Sequence, residues 1–422
     1  MPDSTKIKKK VYIDVEIACW KRSLDANKIS NYLKSNNYKI VNKPENADLI
    51  IFVTCAFLND VAKYWLDKIK EYKKFNTELI IAGCLPDIEK DELKKIFDGK
   101  TISTKNLDEI DRLFPGNKIK FYELEDTNQL YKQPTEGTYN GIIKDVFGRI
   151  RWLSKVYLTI QDYILKNLFG KNSIEYKFSK KQFLVRISWG CLGNCTYCAI
   201  KKAIGTLKSK PINQIIKEFE NGLEKGYKNF VLEADDLGAY GIDIGIDFPT
   251  LIETLTKIPG KFEITIRGLH PVWICKYADE LENILKRGKI PIMDIALQSA
   301  NSRILKLMNR FSDVNKIKDA LLRIKKAYPD LSLSAEIILG FPTETEEEFD
   351  DTLSFIEDVN LQAGHIYLFS CKTGTEAENI NPKISKENIH ERAKRAKDIL
   401  KKAGYHVNYV EKEDFIIFSR RA

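Results

Sequence analysis

FLVRISWGCLGNCTYCAI, residues 183–200, decides the fold. Its first seven residues are rich in apolar, β-branched and aromatic side chains, as a buried strand is. Cysteines follow at 191, 195 and 198, a C-x3-C-x2-C spacing on one loop directly after that strand. Three thiolates on one short loop suit a [4Fe–4S] cluster and leave its fourth iron without a protein ligand. An open iron can bind a substrate or cofactor through that molecule's own donor atoms. A structural zinc site needs a fourth ligand, and no nearby His or Cys supplies one, since the next cysteine is Cys275.

Downstream, the same strand-and-helix alternation continues. KNFVLEA (228–234), KFEITIRG (261–268), IPIMDIALQ (290–298), LSLSAEIILG (331–340) and AGHIYLFS (363–370) are five more strand candidates, with helix-length segments between them. Six β/α units predict a partial barrel with its chemistry at the strand carboxyl ends. Upstream, VYIDVEI (11–17), ADLIIFVTC (47–55) and ELIIAGC (78–84) alternate with two segments of helical spacing. That β-α-β-α-β order predicts an N-terminal parallel sheet. Cys19, Cys55 and Cys84 fall at the ends of its strands and are expected to converge at one sheet edge. The fold class is therefore α/β throughout. The expected divisions are an N-terminal domain over 1–114, a helical insertion over 115–182, the partial barrel over 183–380, and a basic helix with two short strands over 381–422. Within the insertion, 146–169 has the spacing of one amphipathic helix.

The chain has 422 residues, 43% of them apolar and 30% charged, which excludes a disordered or collagen-like protein. Lys+Arg 68 against Asp+Glu 59 gives +9. From Lys383 to Ala422 there are eleven Lys/Arg and six Asp/Glu, expected to be a solvated helix face. Asp14 and Glu16 interrupt the apolar run after the basic start, so no signal segment is expected. The most apolar stretch, 146–169, carries five charges and is too polar to span a membrane. No membrane partner and a cytoplasmic location follow as expectations. In a reducing compartment eight cysteines suit metal or catalytic use better than disulfides.

The cysteine loop at the start of a six-unit β/α region resembles the radical S-adenosylmethionine (SAM) superfamily. The contexts IACWKRSLD (17–25), FVTCAFLND (52–60) and IAGCLPDIE (81–89) resemble the three-cysteine domain of its methylthiotransferases. So do four ordered blocks: ADDLGAYGIDIG, IALQSANSRILKLMNR, AEIILGFPTETEEEFDDTL and YLFSCKTGTEAE. The resemblance implies two [4Fe–4S] clusters, one held by Cys191, Cys195 and Cys198, the other by Cys19, Cys55 and Cys84. It implies insertion of a methylthio group into an unactivated C–H bond. One SAM would be cleaved to a 5′-deoxyadenosyl radical, and a second would methylate a sulfur carried at the other cluster. The two clusters would then face one another across a shared cavity. Among SAM contacts it implies Tyr197 against the adenine, Glu233, Asp235 and Asp236 at the barrel mouth, and Gln298 and Ser299 after the fourth strand. Arg310 would meet the carboxylate, Glu336 the ribose, and the backbone at Gly340 and Phe341 the adenine. A reductant such as flavodoxin or ferredoxin and a sulfide source would be partners. His270, His365, His390 and His406 are assigned no ligand role, and Cys275 and Cys371 are expected to be packed thiols.

The chain departs from the family in three places. Only about twenty residues follow the basic helix, too few for the β-barrel module that usually grips RNA or protein in this family. Lys372 stands where an Arg is usual, and Arg22 where an Asn is common. RNA recognition needs a broad basic and aromatic surface, and here the excess charge is mostly confined to the tail. The expected acceptor is therefore a peptide or protein side chain, with a modified adenosine of tRNA as the alternative. The further alternatives are a non-thiolating radical enzyme and an electron-transfer protein.

Overall fold

The computed structural model describes residues 7–75, 77–131, 181–411 and 414–420. The helix expected over 146–169 lies outside them. The chain divides into two compact units.

The first unit holds residues 7–131 and 198–206 among those described. Its sheet contains β1 (Lys10–Asp14), β2 (Lys39–Ile40), β3 (Leu49–Thr54), β4 (Glu78–Gly83) and β5 (Lys100–Ser103), in the order β2-β1-β3-β4-β5. Every neighbouring pair is parallel. LIIFVT in β3 is buried at all six positions because both sheet faces are covered. Ile51 and Val53 pack with Ala26, Ile29 and Leu33 of helix Trp20–Ser35 on one face. Ile50 and Phe52 pack with Ala62, Trp65 and Ile69 of helix Asn59–Tyr72 on the other. The period of two along the strand thus assigns each residue to one helix.

β1 stops earlier than the apolar run VYIDVEI predicts. Asp14 turns the chain: its carboxylate pairs with Lys68 at 2.9 Å and accepts the Glu16 amide at 3.1 Å. Cys19 consequently stands at the N-cap of helix Trp20–Ser35, not at a strand end. The short helix Lys201–Ile204 also belongs to this unit, although it follows the first barrel strand in sequence. Ala199 and Ala203 are buried in the same apolar cluster as Cys84 and Leu85.

The second unit holds residues 181–197 and 207–420. Its strands are β6 (Gln182–Arg186), β7 (Ser188–Trp189), β8 (Lys208–Ser209), β9 (Asn229–Glu233), β10 (Glu263–Leu269), β11 (Ile292–Gln298), β12 (Ser332–Leu339), β13 (Ala363–Leu368), β14 (Tyr405–Val410) and β15 (Phe415–Arg420). The six expected barrel strands are all present and parallel, in the order β6-β9-β10-β11-β12-β13. The C-terminal pair does not stand apart. β15 adds to β13 antiparallel, with Ile416 opposite Ile366, and β14 adds to β15.

The basic tail has a structural use. Helix Lys386–Lys402 buries Ile389, Ala393, Ala396 and Leu400. Each large apolar side chain buried there contributes about 1.5–3 kcal/mol. Arg392 and Arg395 of the same helix are ion-paired with Glu346, and Arg395 also with Asp350 at 2.6 Å. The cluster EEEFDD at 346–351 therefore neutralises part of the positive face. Among the described residues no helix is long and apolar enough to cross a membrane.

Candidate iron–sulfur and cofactor site

In the first unit the three cysteines come from three different β–α junctions: Cys19 before helix Trp20–Ser35, Cys55 just after β3, Cys84 just after β4. Cys55 and Cys84 are buried and Cys19 is accessible. The Cys19 and Cys55 thiols are hydrogen-bonded to one another. That bond is the largest influence holding Cys19 down at about 6, with Arg22 and Lys21 adding to it against burial. The same bond, burial and the neighbouring charges of Cys19 and Cys84 push Cys55 up. Burial pushes Cys84 up to about 11. Iron is held by thiolates, so loading it on protonated thiols must release protons.

In the second unit the part of the cysteine loop that carries Cys191 and Cys195 is tied down on both sides, while Cys198 falls in the first unit. The Thr196 amide donates to Met308 O at 3.1 Å and its hydroxyl to Leu307 O at 2.8 Å. On the other side, Asp235 accepts the Gly190 amide at 3.0 Å. Asp236 accepts the Leu192 amide at 3.3 Å, the Cys191 thiol at 3.6 Å and the Trp273 indole N–H at 2.8 Å. The carboxylates that sequence placed toward SAM therefore hold the loop. A Cβ added to Gly193 would lie 3.3 Å from Cys191 Sγ and 3.9 Å from Cys195 Sγ, so both sulfurs border one small space. Asn309, at φ 53°, turns the chain after helix Ser302–Leu307 and brings Arg310 to the loop. Arg310 Nη1 lies 3.6 Å from Cys195 Sγ and 3.3 Å from the Tyr197 hydroxyl, and its other end donates to Ala296 O. The Tyr197 ring meets Phe341 edge-on at 6.4 Å.

Inside the barrel, sequence singled out Glu233 and Glu336 but missed their cation. Arg267 of β10 donates to Glu233 at 3.3 Å, and the carboxylates of Glu336 and Asp294 also act on it. Asp294 accepts the Ser334 hydroxyl at 2.6 Å and the Gly268 amide at 3.2 Å. The available signal was a charged residue within an otherwise apolar run, Arg267 in FEITIRG and Asp294 in IPIMDIALQ. Gln298 closes β11 at φ 71°, and Ser299 is fully buried against Thr352.

The loop after β12 is braced from behind. The Gly340 amide donates to Glu344 at 2.7 Å, and Arg392 donates to Glu344 O at 2.9 Å. Gly340 has φ 85°, and a Cβ there would meet Ile389 at 2.7 Å. Burial pushes the Glu344 carboxyl up to about 8, opposed by the Gly340 amide and Arg392. Between its ordinary value of 4.5 and about 8 the folded chain keeps a proton that the unfolded chain has lost. Stability from this group is complete at low pH and falls as pH rises through that interval. Glu344→Gln keeps an acceptor for Gly340 and removes the titration. Its melting temperature should match the parent near about pH 5 and exceed it near about pH 9. Equal melting temperatures at both would refute the assignment.

The remaining candidates fall elsewhere. His365 stacks on Tyr367 at 5.9 Å and His390 meets the Tyr409 hydroxyl. Cys275 packs against the barrel core, and burial pushes it up to about 11. Cys371 is partly exposed and Lys372 is buried. Among the described residues no group of three or more His, Cys, Asp and Glu side chains is arranged to hold a single metal ion. Iron–sulfur clusters take one thiolate per iron and need a wider spread. The thiols at 19, 55 and 84 and at 191, 195 and 198 are of the kind that donor set requires.

Comparison with known proteins places both units. Residues 185–356 match the family described as "Radical SAM superfamily", and residues 10–103 match "Uncharacterized protein family UPF0004". A probable threonylcarbamoyladenosine tRNA methylthiotransferase of Methanocaldococcus jannaschii is 28% identical, over 96% of this chain and 85% of that protein. The ribosomal protein uS12 methylthiotransferase RimO of Vibrio vulnificus is 28% identical, over 90% and 75% respectively. Among solved structures, the radical SAM methyltransferase TsrM of Kitasatospora setae, with cobalamin and a [4Fe–4S] cluster bound, superposes with TM-score 0.58. It is 8% identical and covers 95% of this chain and 81% of its own, a likeness of fold alone.

Proposed function

We infer the reaction from one premise: this chain belongs to the radical SAM methylthiotransferase family. It is a sulfur-transferring enzyme, and its cofactors are SAM and [4Fe–4S] clusters. In our reading Cys191, Cys195 and Cys198 hold one cluster, and Cys19, Cys55 and Cys84 hold a second. When bound, these groups supply the electron that cleaves SAM and the iron that carries the sulfur. The gathering of Cys19, Cys55 and Cys84 from three β–α junctions carries this reading.

The chain's own residues orient and shield. Asp235, Asp236 and Thr196 fix the cysteine loop, and Arg310 sets a positive charge beside Cys195. We place Tyr197, whose ring meets the buried Phe341 edge-on, and the backbone at Gly340 and Phe341 against the adenine. Glu233, Gln298 and Glu336 supply acceptors for the amino and hydroxyl groups of SAM.

The acceptor we propose is a peptide or protein side chain. Two features support it. The tail arginines Arg392 and Arg395 are ion-paired within the unit. In the barrel, three carboxylates, Glu233, Asp294 and Glu336, act on Arg267, so that cation is offset and not held open for a phosphate. The second reading, a modified adenosine of tRNA, is favoured by the Methanocaldococcus jannaschii relative, 85% of whose length this chain covers. A separate sulfide source and a low-potential reductant are required. All eight cysteines are free thiols, as two three-cysteine ligand sets require.

The test is anaerobic reconstitution followed by SAM, dithionite and sulfide. S-adenosylhomocysteine and 5′-deoxyadenosine should both form, and a methylthio increment should appear by mass spectrometry on peptides, not on bulk tRNA. Deoxyadenosine alone would assign another radical reaction. An increment on tRNA nucleosides alone would replace the peptide by the second reading.

A further inference from the structure

Behind the cysteines of the first unit lies a buried ion pair that the reaction above does not use. Arg22 and Asp25 are 2% and 4% exposed, and Arg22 Nη1 lies 3.2 Å from Asp25 Oδ2. Arg22 Nη1 also donates to the Thr104 hydroxyl, which lies 3.9 Å from Cys84 Sγ. Geometry ties the cation of this pair to a sulfur. The Thr104 hydroxyl joins the Arg22 guanidinium to Cys84, and Asp25 meets that guanidinium at the same nitrogen. Arg22's positive charge also acts on Cys19.

Such a pair is a poor stabiliser. Desolvating two charges costs several kcal/mol per ion, and a neutral pair of similar shape is often as stable. Its cation, linked through Thr104 to Cys84, has a consequence at the sulfurs. A group of iron and thiolates carries net negative charge. A fixed positive charge beside it eases the addition of either a further anion or an electron.

We propose that the Arg22–Asp25 pair strengthens binding of an anionic sulfur ligand at the cluster of Cys19, Cys55 and Cys84 and raises that cluster's reduction potential. This rests on the reading that those three cysteines hold a cluster. The ligand class is a hydrosulfide or alkylthiolate. It joins the open iron as an added donor, no bond breaks and no electron moves in that step. Arg22 acts through the field it sets and is a positioning residue.

The experiment uses the full chain carrying Cys191→Ala, Cys195→Ala and Cys198→Ala, so that only the second cluster can form. Iron is counted, the potential is followed by electron paramagnetic resonance, and sodium hydrosulfide is titrated. Two variants are compared in that background: Arg22→Gln with Asp25→Asn, which keeps the shape and removes both charges, and Asp25→Asn alone, which removes only the anion of the pair. We expect about four Fe per chain. In the double variant hydrosulfide should bind about tenfold more weakly, and a tenfold change in the one-electron equilibrium lowers the potential by about 59 mV. In Asp25→Asn alone both quantities should move the opposite way, which a merely structural role would not produce. Four Fe with unchanged potential and affinity in both variants would overturn the inference and leave the ligand reading standing. Absence of iron in the parent triple variant would overturn the ligand reading itself. If the double variant loses its iron, the sign of the Asp25→Asn shift decides.

Discussion

Cys55→Ala leaves 5′-deoxyadenosine formation intact and stops methylthio transfer. Cys55 sits at the carboxyl end of β3, 2% exposed and hydrogen-bonded to Cys19. Alanine fills nearly the same space in the sheet, so the fold is kept. With one of the three proposed ligands gone, reconstituted iron should fall from about eight to about four per chain. Cys191→Ala removes a ligand from the other set and should abolish deoxyadenosine altogether. The two variants should therefore hold the same amount of iron and differ completely in products. Retained thiolation in Cys55→Ala would contradict the assignment of roles.

The second large effect concerns a residue with no side chain. Gly83 ends β4, pairs with Thr54 across the sheet, and precedes Cys84. Its φ is 102°, and an added Cβ would lie 2.2 Å from Thr54 O and 2.7 Å from Thr54 N. Both obstacles are backbone, and Thr54 O is also the acceptor for the Cys84 amide at 3.0 Å. Gly83→Ala must push β4 from β3 at the end where Cys55 and Cys84 emerge. The backbone strain and the clash together should cost on the order of 3 kcal/mol. The second cluster's iron should be lost with it, while SAM cleavage persists in whatever protein stays folded. Gly116→Ala is the control, because a Cβ there meets nothing within 4 Å. Denaturant melts and iron counts on both variants give the comparison, and a Gly83→Ala protein with native stability and full iron would refute it.

How far the sequence could be followed depended on the range of the interactions concerned. The six parallel barrel strands were legible because strands covered on both faces read as continuous apolar runs, IPIMDIALQ above all. β2 and β5 were not, being two and four residues long and partly polar at the sheet edges. The end of β1 was misjudged because the Asp14–Lys68 pair that turns the chain joins residues far apart in sequence. Cysteine spacing carried the site, since three thiols on one loop need no tertiary information. The residues around them were opaque for the opposite reason. Arg22 meets Thr104, Arg267 meets Glu233, and Arg392 meets Glu344, each across a long stretch of chain. Arg22 looked like a family substitution only. Its burial against Asp25 and its link through Thr104 to Cys84 exist solely in the folded unit.

The hairpin that extends the barrel sheet fixes an order of assembly. β15 follows β14 in the chain, yet it lies between β14 and β13. During synthesis β14 therefore emerges with no edge to dock on, and β13 keeps an open row of amides and carbonyls until residues 415–420 appear. An unpaired strand edge invites pairing with other chains. The nascent protein should accordingly be most vulnerable to aggregation in the interval between completing β13 and completing β15, and a chaperone that shields strand edges should raise its yield most when translation is slowed there.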